Sequence, residues 1–330
     1  MKNRTITLIR KPVGLPSLTD FEQVEEDFPV ISKGEVLLKS TYISVDPYLR
    51  GKMAGTHDAS FEVAKPLASK VIAEVVESKH NDFKPGQFVI NYLQWKEYQL
   101  SDGSGLSLLD DKEAPLSTYL GVLGTTGLSA YFALLDIGKP KGGETLVVSG
   151  TAGAVGTIVG QIGKIMGCRV VGITGSDAKT ALLKSKFGFD EAINYRTIKD
   201  MKAAIAEACP NGVDIYFDNV GGSVSDAVFP NLNAYGRVPV CGVISNYNDT
   251  EVSASPNLLP LVVYKFLTIQ GFLIADFAPR FTEGTAQLAQ WLKEGKLTYS
   301  ETIVNGFEKL PEAFLGLFEG KNEGKMIVEI

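Results

Sequence analysis

ETLVVSGTAGAVGTIVGQIGKIMGCRVVGITGS, residues 144–176, sets the fold of this chain. TLVVS (145–149) is a short apolar, β-branched run of the kind that a parallel sheet buries on both faces. It breaks at Gly150, and further glycines follow at three-residue steps, Gly153 and Gly156. From Ala154 to Met166 the apolar residues recur at helical spacing, and Gly167 stands where a helix C-cap would. CRVVGIT (168–174) reads as the second strand of a βαβ unit. In such a unit Gly150 permits the tight turn, Gly153 lets the backbone approach a pyrophosphate, and Gly156 lets the helix lie close on the strand. The helix N-terminus offers N–H groups and partial positive charge to the phosphates. Bare glycine spacing is a weak signal, whereas glycines framed by strand, helix and strand are specific.

The end of the second strand distinguishes the two nicotinamide dinucleotides. An NAD site places an acid there to bond the ribose hydroxyls. Here the strand runs into Gly175-Ser176, followed by Asp177 and Lys179. A missing acid and an added cation suit the extra phosphate of NADP(H), which an acid would repel. The competing reading makes Asp177 the ribose acid. It stands, however, just ahead of the apolar-periodic run Ala181, Leu182, Leu183 and Phe187, where N-caps and first-turn acids occur.

Around this unit the chain reads as two domains, since 330 residues exceed what one core serves well. Residues 1 to about 125 are mostly β. EVLLKSTYISVD (35–46), KVIAEVVES (70–78) and QFVINYLQW (87–95) alternate in the β manner and are separated by Pro/Gly turns. Between them VDPYLRGKM (45–53) reads as a turn segment, in which Tyr48 and Arg50 need polar partners if hidden. By itself that segment reads as a packed loop with Arg50 paired to a carboxylate. A helical run over 128–135 opens the dinucleotide domain. Beyond the glycine unit come a helix (177–187), a strand (192–195), a helix (198–208) and the strand VDIYFD (213–218), which ends in DNVGG (218–222). The strand GRVPVCGVIS (236–245) follows. In an open parallel sheet the loops after Val148, Thr174, Phe217 and Val240 share one rim, where ligands bind. A helix and the strand TIQGF (268–272), a helix (284–296), the strand-like ETIVNGF (301–307), a helix (310–320) and the strand KMIVEI (325–330) complete the chain. The tail is expected to return to the β domain. The expected division is therefore 1–125 with 298–330, and 126–297.

Composition narrows the function. A net charge of −6 gives no support for nucleic-acid or anionic-membrane binding. No apolar run approaches a membrane span, and the N-terminus lacks a signal-peptide core. Cys168, Cys209 and Cys241 are scattered, and the histidines are His57 and His80. A catalytic zinc of the alcohol-dehydrogenase kind takes two cysteines and a histidine in one cluster, and no such spacing exists here, so no metal is expected. The odd cysteine count argues against a disulfide framework and for a reducing, cytoplasmic setting.

VDPYLRGKM (45–53), LGTTGLSAYFALLDIG (123–138), VVSGTAGAVGTIVGQIGKIMGC (147–168), FGFDEAINYRT (187–197), VDIYFDNVGG (213–222), GRVPVCGVISNYN (236–248), YKFLTIQGF (264–272) and GKMIVEI (324–330) are together distinctive. With them the chain resembles the zinc-free branch of the medium-chain dehydrogenase/reductases, in the group of NADP-dependent alkenal/enone double-bond reductases. The resemblance implies an α/β Rossmann domain, a doubly wound parallel sheet, beside a GroES-like β-barrel domain, with the active site in the cleft. It implies that Gly153, Ala154, Val155 and Gly156 meet the pyrophosphate, and that Ser176, Lys179 and Tyr195 surround the 2′-phosphate. Asn219 and the loop with Cys241, Gly242, Ile244, Ser245 and Tyr247 would line the cofactor. Phe272 and Leu273 would face the nicotinamide, and Asn322 would close over it. Tyr48 and Tyr264 match tyrosines of the substrate pocket. The implied reaction is hydride transfer from NADPH to the β-carbon of a small α,β-unsaturated carbonyl compound, with Tyr264 and a ribose hydroxyl stabilising the enolate. A homodimer that extends the Rossmann sheet is also implied. The chain departs from its relatives at ASKVI (68–72), where Lys70 replaces part of a glycine-rich run. A quinone reductase with the same cofactor site, or an NADPH-binding protein without turnover, are the other readings.

Overall fold

The computed structural model describes residues 2–55, 60–251 and 256–330. The period-two patterns of the first third become strands. β1 (Lys2–Leu8) pairs antiparallel with β2 (Phe21–Asp27). β3 (Val36–Ser44) is followed by a short helix, α1 (Leu49–Ala54), and then by β4 (Ala68–Ser78), β5 (Phe88–Gln94), β6 (Tyr98–Ser101) and β7 (Ser107–Leu109). α1 lies where the sequence suggested only a turn. Asp46 and Pro47 carbonyls accept from the Leu49 and Arg50 amides at 3.2 and 3.0 Å, and Gly55 ends the helix at φ +84°. Six residues are too few to display a helical period, so the element is invisible to pattern reading.

The second region is α/β. α2 (Thr125–Phe132) runs on into a wider turn over Ala133–Gly138, and the βαβ order then begins. Its elements are β8 (Thr145–Val148), α3 (Gly156–Ile165), β9 (Arg169–Thr174), α4 (Asp177–Phe187), β10 (Glu191–Asn194), α5 (Met201–Ala208), β11 (Val213–Phe217), α6 (Gly222–Val228), β12 (Leu232–Val240), α7 (Leu259–Lys265), β13 (Thr268–Gly271) and α8 (Phe281–Lys293). The six strands are parallel in the order β10-β9-β8-β11-β12-β13. All four residues of β8 are buried, as its unbroken apolar run requires of a central strand. The order reverses between β8 and β11, which makes their carboxyl ends the switch point where such sheets bind ligands. Val147, Val171, Ile173, Tyr216 and Val238 belong to the core on one side of this sheet.

β14 (Glu301–Asn305), α9 (Leu310–Glu319) and β15 (Lys325–Glu329) bring the chain back to the first region. β15 pairs antiparallel with β3, and the strands there follow the order β14-β15-β3-β4-β5-β7 with β6 also on β3. Trp95, fully buried in the core of this sheet, donates its indole N–H to Ser69 at 2.8 Å. The chain thus forms two compact units. One comprises Met1–Leu120, Thr302–Lys321 and Met326–Ile330; the other comprises Gly121–Glu301 and Asn322–Lys325. Among the described residues no helix is long and apolar enough to cross a membrane.

Candidate cofactor and substrate residues

The glycine loop of the second unit is built as its spacing requires. Gly150 turns at φ +58°, in the left-handed region where a side chain is strained. A Cβ on Gly156 would lie 2.6 Å from the Thr151 Cα and 2.7 Å from the Gly150 carbonyl oxygen, so only glycine lets α3 start there. Thr151 ties the loop down: its hydroxyl donates to Val148 at 2.6 Å and accepts from the Ile173 amide at 2.9 Å. Thr151 thereby anchors the turn that leads into α3 to the end of β8 and to β9. Residues 322–325 lie along this loop. Gly324 donates to the Ala152 carbonyl at 2.8 Å and bridges Gly153, while the Asn322 side chain donates to the Gly324 carbonyl at 2.9 Å.

A cationic corner follows the end of β9. Ser176 caps α4, its hydroxyl accepting the Lys179 amide at 3.3 Å. The Asp177 carboxylate accepts the Asn194 side-chain amide at 2.7 Å and so joins α4 to β10. Tyr195 lies over Gly175, where a Cβ would come within 3.1 Å of its hydroxyl oxygen. The Arg196 guanidinium stands 5.9 Å from the Tyr195 ring centroid. Burial pushes the Lys179 ammonium down, opposed by Glu323 and reinforced by Arg196. Two cations, a cap serine and a tyrosine hydroxyl thus gather at one strand end, an arrangement suited to a dianionic phosphate. Arg196 escaped the sequence reading; its only signal is a basic residue directly after Tyr195.

At the switch point Asp218 is buried and collects donors. It accepts from the hydroxyls of Ser149, Tyr216 and Ser225 at 3.0, 2.9 and 2.6 Å, and from the amides of Val220 and Gly221, both at 2.9 Å. Asn219 is held beside it, its side-chain amide donating to the Ser149 carbonyl at 2.8 Å. The loop after β12 folds onto this turn: Ser245 bonds the Val220 carbonyl through both hydroxyl and amide, at 2.6 and 3.0 Å. A Cβ on Gly242 would lie 3.0 Å from the Tyr247 hydroxyl, and Ile244 opens the short helical turn between them. Burial, helped by Asp218, pushes the Cys241 thiol up to about 12, which leaves it protonated and unsuited to act as a nucleophile. Phe272 and Leu273 follow β13, with Phe272 edge-on to Phe277 at 6.3 Å. Tyr264 projects from α7 with 81% of its surface exposed.

In the first unit, the polar residues of 45–53 find partners of two kinds. Arg50 is buried, and its guanidinium donates to the carbonyls of Pro12 and Gly14 at 3.2 and 2.8 Å. Burial pushes the Arg50 guanidinium down, and the charge of Asp20 opposes that shift. Tyr48 shares a hydrogen bond with Tyr92 of β5. Lys52 Nζ donates to the Tyr92 hydroxyl at 2.8 Å. Burial pushes the Tyr92 hydroxyl up to about 12; burial and the Asp46 charge raise Tyr48 further. Both phenols stay protonated at neutral pH and can serve as donors. Tyr92 was missed in the sequence because, in a strand of alternating residues, it looks like one more β-former.

Comparison with known proteins agrees with both halves. A family model described as the N-terminal domain of oxidoreductase matches residues 4–109, and one described as zinc-binding dehydrogenase matches residues 154–294. The NADPH-dependent curcumin reductase of Escherichia coli is 42% identical over 336 residues, covering 100% of this chain and 97% of that protein. Prostaglandin reductase 1 of Rattus norvegicus is 42% identical over 330 residues, covering 99% and 98%. The crystal structure of CurA in complex with NADPH from Vibrio vulnificus matches with a TM-score of 0.94 at 43% identity, over 99% of this chain and 98% of that one. The chain belongs to the double-bond reductase group of the medium-chain dehydrogenase/reductases.

The wording of the second family model refers to zinc. Among the described residues no group of three or more His, Cys, Asp or Glu could hold a metal ion. Cys168 and Cys209 are buried, and burial pushes each thiol up to about 11, which disfavours the thiolate a zinc ligand needs. His57 lies outside the described residues.

Proposed function

We propose that this medium-chain reductase uses NADPH to reduce the carbon–carbon double bond of α,β-unsaturated aldehydes and ketones. The observation that carries the reading is the set of Ser176, Lys179, Tyr195 and Arg196 beside a glycine loop with dinucleotide geometry, in a chain 42% identical to a curcumin reductase along its whole length. When bound, NADPH supplies a hydride to the substrate β-carbon, and negative charge moves to the carbonyl oxygen. Gly150, Gly153, Ala154, Val155 and Gly156 hold the pyrophosphate; Lys179 and Arg196 pair with the 2′-phosphate. Asn219, Cys241, Gly242, Ile244, Ser245 and Tyr247 line the cofactor channel. Phe272 and Leu273 exclude water from the nicotinamide, and Asn322 closes over it. Tyr264 donates a hydrogen bond to the enolate oxygen, while Tyr48 forms a wall of the substrate pocket. Hydroxyl donors of this kind act where the charge develops.

α7 and β13 also present a face that a second copy would cover. Leu259, Val263 and Phe266 are exposed on and just after α7, and β13 is the edge strand of the parallel sheet. An edge strand beside an apolar face is a template for pairing, and a homodimer joined there would extend the sheet. The buried, free thiols of Cys168 and Cys209 suit a cytoplasmic enzyme.

A substrate panel tests the reading. Enals, enones and quinones are offered with NADPH, and products are identified by mass spectrometry. Saturated aldehydes or ketones from the enals and enones support it. NADPH consumption with quinones alone, or with no compound, would reject it.

A further inference from the structure

Two lysines of the first unit stand against one tyrosine. Lys70 lies directly opposite Tyr92 in the antiparallel register of β4 and β5, so the two side chains leave the sheet on the same face. Lys52 reaches the same ring, with Nζ 2.8 Å from the Tyr92 hydroxyl and 4.4 Å from the ring centroid. The Phe61 ring lies 5.6 Å from the same ammonium and supplies an apolar wall. Tyr92 in turn bonds Tyr48. Burial is the cause that displaces both lysines, downward.

Partial burial disfavours both ammonium groups, and an anionic ligand would offset that cost. We propose that Lys70 and Lys52, with the Tyr92 hydroxyl, form an anion subsite beside Tyr48, and that the best enal and enone substrates carry a carboxylate remote from the double bond. Asp46 is near enough to raise both tyrosines. A substrate carboxylate would add one negative charge near Asp46, whereas a phosphate dianion would add two and be repelled more strongly. The inference rests on the reading that Tyr48 lines the substrate pocket.

The test compares 8-oxo-oct-6-enoate with its methyl ester, an identical enal without the charge. The wild-type enzyme is expected to favour the acid in kcat/KM by about tenfold or more, as for a charge-assisted contact. The preference should weaken with added salt, because the lysines are only partly buried. Lys70→Met should remove most of it, Lys70→Arg should keep it, and Lys52→Met should reduce it. Lys112→Met, on the exposed chain after β7, should leave the ratio at its wild-type value. Thermal unfolding of each variant controls for folding. An equal acid-to-ester ratio in wild type and Lys70→Met overturns the subsite. If the wild type reduces neither compound, the reductase reading fails separately. Calorimetric binding of octanoate then decides the subsite: loss in Lys70→Met supports it, and equal or no binding overturns it.

Discussion

The side-chain amide of Asn194 donates to the Asp177 carboxylate at 2.7 Å, which commits that acid to joining α4 and β10. A ribose acid would need its oxygens turned to the ligand, so the bond favours Lys179 and Arg196 as the groups that choose the cofactor. NADPH should be preferred over NADH by one to two orders of magnitude, on the order expected for cations on a dianion. Lys179→Ala and Arg196→Ala should each weaken NADPH about tenfold and leave NADH nearly unchanged, measured by fluorescence titration. Equal losses for both cofactors would overturn the assignment.

Gly156 meets the backbone of the turn before it, with no room for a methyl group between Thr151 and α3. Gly156→Ala should cost about 1–3 kcal/mol of stability through overpacking, and should weaken both dinucleotides by moving the helix start. Denaturant unfolding and cofactor titration measure the two effects. An alanine variant as stable and as tightly binding as wild type would mean that the loop yields easily.

Tyr264→Phe keeps the ring and removes the hydroxyl. If that hydroxyl bonds the developing enolate, kcat on the best enal should fall about ten- to a thousandfold, as for loss of one oxyanion donor. NADPH affinity should hardly change. Full kcat in the variant would reduce Tyr264 to a wall and leave the donor role to another hydroxyl.

The Cys168 and Cys209 thiols are held protonated by burial, and the histidines are distant in sequence from every cysteine. Activity should therefore survive dialysis against a strong chelator, with less than stoichiometric zinc by elemental analysis. Activity lost on chelation and restored by zinc would contradict this.

Ile269 lies in β13, the edge of the parallel sheet, and is 40% exposed. Light scattering should give twice the 35.6 kDa of one chain. Ile269→Lys, which sets like charges against each other in a paired edge, should shift the mass toward the monomer. A monomeric wild type would exclude the dimer.

Burial raises Tyr92 to about 12 and Tyr48 in the same direction, so neither is expected to ionise between pH 6 and about 10. A pH profile of kcat should therefore lack a tyrosine limb in that range. An alkaline limb near pH 9 that Tyr92→Phe abolishes would show that the hydroxyl is less buried in solution.

By itself the sequence determined what depends on neighbours along the chain. The apolar run before Gly150 could only be a buried strand, and the three glycines could serve a dinucleotide turn wherever the rest of the chain went. Asp177 was legible as a first-turn acid because caps follow local spacing. Only the tertiary structure decided which distant side chains share a site. Arg196 joins Lys179 because parallel pairing sets β10 beside β9. Gly324 reaches the Ala152 carbonyl from near the end of the chain, a contact with no local signature. Tyr92 meets Lys70 through strand register and Lys52 through the course of α1, a helix too short to carry a period of its own. Periodicity records the face a residue turns to the core; the groups it meets depend on how the elements are packed.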